Sequence, residues 1–190
     1  MQVWVFDLEG DGLLTTITRI WCGVFKNIHT GDVRKFGPTE IDQMLTFMDK
    51  ETDVLIAHNG IGYDFPALRK LYNYVYKGKV VDTLLMSRLQ DPNRRLPFNA
   101  VNKRAGPHSV EAWGYRVGRG KPEHEDWTKY SPEMLHRCSE DVEIQVKIYH
   151  ELIQEGKGFK WRDAHMATFK VFELLQLQEE YGWLTSGHHI

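Results

Sequence analysis

The sequence predicts an α/β protein built on one mixed sheet, three antiparallel strands followed by parallel ones, with helices on the faces. Two observations carry this. Residues 2 to 36 hold three β-rich runs separated by turn residues, the arrangement of a hairpin extended by one strand. From residue 39 onward, short apolar runs alternate with segments of helical periodicity, as in strands joined by crossover helices. At 190 residues the chain is long enough for one domain with a sizeable core.

The elements follow in order. Residues 2 to 8 and 17 to 25 are β-branched and aromatic, with Gly10-Asp11-Gly12 among the turn residues between them. Asp32 to Phe36 supplies a third strand. Thr39 and Glu40 start a helix in which Ile41, Met44, Leu45 and Met48 fall at helical spacing, ending near Lys50. Asp53 to Ala57 is a compact apolar run, as in a central strand covered on both faces. Phe65 to Tyr76 predicts a helix with Pro66 in its first turn, Lys79 to Asp82 a short strand, and Thr83 the cap of a helix through Leu89. Asp91 to Pro107 reads as a long loop, Val110 to Val117 as a short helix, and Gly118 to Lys129 as irregular. Ser131-Pro132-Glu133 combines a hydroxyl cap, a first-turn proline and an acid near the positive helix end. That helix runs to about Leu152, with Met134, Cys138, Val142, Gln145, Ile148 and Leu152 along one side. After Gly156-Lys157-Gly158, a final helix from about Ala164 to Glu180 carries the stripe Met166, Phe169, Phe172 and Leu175.

No apolar run approaches the ~20 residues that span a bilayer, so a membrane role has no support. Two cysteines, Cys22 and Cys138, are too few for a disulfide framework or a zinc site and predict buried thiols in a reducing, intracellular compartment. The net charge of −2 offers no global attraction to nucleic acid. It conceals an asymmetry: Arg94, Arg95, Lys103, Arg104, Arg116, Arg119 and Lys121 face the single acid Glu111 between Asn93 and Lys121. This segment suits a polyanion, although a solvated loop and helix face is the reading preferred from composition alone.

The chemistry begins at Val3-Trp4-Val5-Phe6-Asp7-Leu8-Glu9. Successive strand residues turn to opposite faces, so Asp7 and Glu9 point the same way. Two like charges at the end of a buried strand are costly unless a cation lies between them, so the stretch reads as half of a metal site. Asp64 follows the central strand, and Asp141 lies on the long helix, where both can reach that strand end if the first and fourth strands are neighbours.

These residues carry a resemblance. Asp7-x-Glu9, Asn59-Gly-x-x-Tyr63-Asp64-x-Pro66-Ala67-Leu68, Val81-Asp82-Thr83-Leu84 with Ser87-Arg88-Leu89, His108-Ser-x-Glu111-Ala-Trp113-Gly-Tyr115-Arg116-x-Gly118 and Asp141-Val142 closely resemble the proofreading 3′-to-5′ exonuclease domain of phage-type family A DNA polymerases. That domain belongs to the DEDD exonuclease superfamily, with a ribonuclease H-like fold, and the likeness runs from residue 3 to about 152. The resemblance implies two divalent cations, Mg²⁺ or Mn²⁺. Asp7, Glu9 and Asp141 would hold one, Asp7 would bridge to the second, and Asp64 would support the second through water. Two ions roughly 4 Å apart can clamp the attacking and leaving oxygens of a phosphodiester, releasing nucleoside 5′-monophosphates from a 3′ end. Asp11 reads as a turn residue and Asp82 as a strand-end or cap residue that can support the site.

One motif departs from the family. The polymerase-type domains carry a tyrosine four residues before the last aspartate, and Arg137 stands there. A second branch uses a histidine five residues before it as general base, the position of His136. On an ideal helix a residue four back lies ~40° from Asp141 and one five back ~140° away, so His136 serves only if the helix starts or bends near it. His136 as base, Arg137 as a phosphate-facing residue, and neither acting remain three readings.

Expected substrate contacts are Leu13 or Leu14 as a wedge against the terminal base, Tyr63 and Phe65 as stacking faces, and His58 and Asn59 at the sugar or phosphate. Phe65 and one leucine as core is the alternative. Residues 1–155 are expected to form the exonuclease domain and 156–190 a helical extension packed on it or leading to a partner. The chain is expected to be an expressed fragment or a free-standing enzyme, acting on single-stranded DNA or a frayed DNA 3′ end, with a separate DNA polymerase subunit as candidate partner. Two rivals stand: an exoribonuclease of the same fold, and a catalytically weak nucleic-acid-binding or polymerase accessory subunit.

Overall fold

The computed structural model describes residues 1–100, 106–119 and 126–182. Its five strands are β1 (Val3–Gly10), β2 (Ile20–Asn27), β3 (Val33–Phe36), β4 (Val54–Ala57) and β5 (Lys79–Asp82), in sheet order β3-β2-β1-β4-β5. β1 pairs antiparallel with β2 and parallel with β4; β2 pairs antiparallel with β3, and β4 parallel with β5. The fold class is the mixed α/β arrangement that the alternation of runs predicts. The first and fourth strands are neighbours, as convergence of the carboxylates requires.

The period of two along β1 sorts its side chains between two layers. Trp4, Phe6 and Leu8 face one core with Leu55, Ala57 and the buried sides of α1 (Ile41–Glu51) and α2 (Asp64–Tyr72). Val3 and Val5 face the other, with Val24, Ile56 and Met134, Cys138 and Val142 of α5 (Pro132–Glu155). The odd-numbered residues of β1 therefore look at α5, and Asp7 and Glu9 share their parity. α3 (Thr83–Gln90), α4 (Val110–Arg116) and α6 (Trp161–Tyr181) build a third cluster around Leu85, Trp113, Ile148 and Phe169.

Several boundaries differ from those read in the sequence, three of them for reasons the contacts show. β2 starts at Ile20, not at residue 17, because the Asp11 carboxylate accepts hydrogen bonds from the Thr18 and Arg19 amides and holds that stretch in the turn. α2 ends at Tyr72, not at Tyr76, because Asn73 adopts a left-handed conformation (φ 52°) and its amide closes the last turn. α6 starts at Trp161, three residues early, where Trp161 stacks on His165. Of the predicted stripe on α6, Phe169 is buried and Phe172 packs beside it, whereas Met166 and Leu175 are exposed.

Candidate metal centre

Asp7 and Glu9 leave the last turn of the β1 pleat on the α5 side, and Asp141 sits on the face of α5 that meets them. One carboxylate oxygen from each lies within 4.8 Å of the other two. Glu9 and Asp141 are buried, and Asp7 is half-buried. This is a hard, all-oxygen donor set, suited to a divalent ion of the magnesium or manganese type rather than to zinc. The neighbouring Cys138 is unsuited as a ligand: burial, reinforced by Cys22 and Asp7, raises its thiol well above the usual range and keeps it protonated. Its Sγ instead donates to the Asp7 carbonyl at 3.3 Å.

Asp7 is further oriented by Gln145, whose Nε2 donates to Asp7 Oδ1 at 2.8 Å. Sequence reading assigned Gln145 to the buried stripe of α5. Its spacing of four from Asp141 was the available signal that it shares the acidic face.

Asp64 opens α2 and is buried, outside the close trio. Burial raises its carboxyl well above the usual range, and the charge of Asp7 raises it further; amides, including that of Leu8, act the other way. The turn that presents it is built by Asp82. That buried side chain accepts from the Asn59 and Ile61 amides and caps α3 through the Leu84 and Leu85 amides. Asp82 is thus a structural acid that shapes the strand end, and Asn59 takes up a left-handed backbone (φ 72°) to allow the turn.

The two candidates before Asp141 are placed differently. α5 is continuous from Pro132, so the helix neither starts nor bends at His136, whose side chain is exposed. Arg137 instead meets the carboxylates: its Nε lies 3.8 Å from Glu9 Oε1 and 3.9 Å from Asp141 Oδ2. The guanidinium carbon rests 4.6 Å above the Trp127 ring, a partner that lay in a segment with no sequence signal.

The substrate contacts expected from sequence divide. Leu13 is exposed beyond the end of β1, while Leu14 packs on the core. Tyr63 donates its hydroxyl to the Gly12 carbonyl at 2.5 Å; burial, then Asp64, raises its phenol above the ordinary range, so it stays protonated. Phe65 packs between Phe6 (5.4 Å) and Tyr76 (5.9 Å, stacked), because its side of α2 faces the first core. His58 is engaged at both ring nitrogens, Nε2 donating to the His108 carbonyl at 2.8 Å and Nδ1 meeting Thr83 Oγ1 at 2.9 Å. It ties β4 to the loop before α4. Within the basic segment, Arg94 pairs with Glu155, Arg119 pairs with Glu140, and Arg94 and Arg116 both lie over Trp113. Lys103, Arg104 and Lys121 lie outside the described residues.

No family model matches the chain. It is 26% identical to the DNA-directed DNA polymerase of Escherichia phage T7 over an aligned span of 221 residues, 95% of this chain and 31% of that polymerase. The chain is thus similar to one part of a phage DNA polymerase. Its fold matches that of Brucella melitensis NrnC with bound Mg²⁺ (TM-score 0.69, 18% identity, covering 100% of this chain and 90% of that one). It also matches Escherichia coli RNase D, an exoribonuclease involved in structured RNA processing (TM-score 0.65, 12% identity, 93% and 45%). The chain spans less than a third of the length of the polymerase it matches in sequence. Among its described residues, no helix is long and apolar enough to cross a membrane.

Proposed function

We propose that this domain is a metal-dependent 3′-to-5′ DNA exonuclease with a proofreading-like role, releasing nucleoside 5′-monophosphates. The observation that carries the reading is the convergence of Asp7, Glu9 and Asp141 oxygens within 4.8 Å at the end of β1. These three residues would hold one Mg²⁺ or Mn²⁺ ion, with Asp7 shared with a second and Asp64 supporting the latter. Bound ions supply Lewis-acid charge for the scissile phosphodiester and a lowered pKa for the attacking water.

The chain's own residues do the rest. Gln145 and Cys138 fix Asp7, the turn built on Asp82 fixes Asp64, and the exposed Leu13 would wedge against the terminal base. Arg137 stands beside Glu9 and Asp141, at the position of the tyrosine of polymerase-type domains, and would contact the substrate phosphate. The exposure of His136 on an unbroken helix supports leaving it out of proton transfer. Similarity to phage DNA polymerases supports DNA, as single strands or frayed 3′ ends, over RNA. It also supports action in the cytoplasm of a bacterial host, beside a polymerase region or subunit.

The test uses 5′-labelled single-stranded DNA and RNA with Mg²⁺ or Mn²⁺, comparing wild type with Asp7→Ala. The expected result is metal-dependent shortening of DNA, with mononucleotide release, that Asp7→Ala abolishes. Absence of metal-dependent release overturns the enzyme reading and leaves a binding or accessory module, and preferential RNA cleavage moves the assignment to an exoribonuclease.

A further inference from the structure

Three carboxylates gathered within 4.8 Å, two of them buried, repel one another whenever no ion is present. A metal centre of this kind needs another source of positive charge to stay assembled while empty. Arg137 has the position for it. Its side chain is 16% exposed, so its charge is only partly screened by water, and its Nε stands 3.8 Å from Glu9 and 3.9 Å from Asp141. Both separations exceed hydrogen-bond reach, so these two contacts are coulombic.

The guanidinium is also held from the other side. It lies over the Trp127 ring at 4.6 Å, and the Trp127 carbonyl in turn accepts from Trp21 Nε1 of β2 at 3.0 Å. The charge is therefore anchored to the same sheet that carries Asp7 and Glu9, and to the same helix that carries Asp141. It also borders a cavity of about 420 Å³ lined by His58, Arg88, His108 and Glu111.

We propose that Arg137 is a resident counter-cation of the carboxylate trio: it keeps the site assembled without metal and lowers the affinity for the divalent ion. The proposal rests on reading the trio as a cation site. Its consequence is a centre that exchanges metal readily and requires a higher metal concentration than the bare trio would.

The test measures Mn²⁺ uptake from the loss of the free-ion EPR signal, and thermal unfolding in chelator. Arg137→Gln is expected to bind Mn²⁺ about tenfold tighter than wild type, while Arg137→Lys stays close to wild type. In chelator, Arg137→Gln is expected to lower the unfolding midpoint in the wild-type background and to lower it much less in Glu9→Gln. Unchanged or weaker Mn²⁺ binding by Arg137→Gln overturns the proposal, as does an equal loss of midpoint in both backgrounds, the mark of a residue that merely packs on Trp127. If wild type shows no Asp7-dependent Mn²⁺ uptake, the cation-site reading fails, and the chelator cycle alone decides whether Arg137 neutralises the trio.

Discussion

Gln145 Nε2 donates to Asp7 Oδ1 at 2.8 Å across 138 positions of chain, joining the helix that carries Asp141 to the strand that carries Asp7. The bond holds one oxygen of the Asp7 carboxylate, and Cys138 Sγ approaches the other at 3.7 Å. Gln145→Leu keeps the volume and removes the donor. It is expected to lower metal-dependent exonuclease activity by about 10–100-fold, with a higher metal concentration needed for half-maximal rate. Unchanged metal dependence, measured by titrating Mg²⁺, would reject this role.

Asp64 places function against stability. Its carboxyl is raised by burial and by Asp7, so the folded state favours the protonated form more than the unfolded state does. The resulting stabilisation is full below the unfolded value of 3.8 and is lost as pH rises through the folded value. In chelator, stability is therefore expected to increase as pH falls from neutrality toward the acidic range, before other carboxylates reverse the trend. Asp64→Asn should remove this dependence, stabilise the metal-free protein by about 1–2 kcal/mol at pH 7, and abolish nuclease activity. Chemical denaturation at several pH values checks the sign.

Asp82 serves the fold. It accepts four backbone amides, two from the 59–61 turn and two from the start of α3. Asp82→Ala leaves buried donors without a partner and should cost about 3 kcal/mol or more in urea melts. A loss below about 1 kcal/mol would mean that the cap does not hold the turn.

Leu13 and Phe65 separate substrate contact from core. Phe65→Leu is expected to destabilise by about 1–2 kcal/mol and leave KM for single-stranded DNA unchanged, because its ring lies between Phe6 and Tyr76. Leu13→Ala is expected to leave the melting temperature unchanged and raise KM, because the side chain is exposed beside the carboxylates' strand. The reverse pattern would return Phe65 to the substrate side.

The sequence by itself determined whatever depends on local periodicity. The alternation in β1 dictated that Asp7 and Glu9 share a face, and the Ser131-Pro132 start dictated that Asp141 lies more than two turns into a helix, with Arg137 and Gln145 on its side and His136 turned away. Only the tertiary structure decided what those faces meet. Gln145 in a buried stripe is indistinguishable from core until the helix docks on the odd-numbered side of β1. Trp127, in an irregular segment, gains meaning only when Arg137 lies over it. Phe65 follows Asp64 directly, yet the turn at Asn59 and Asp82 sends the carboxylate to the site and the ring to the core. Backbone sterics act over a few residues and can be read along the chain, whereas contacts across more than a hundred residues arise from the packing of helix on sheet.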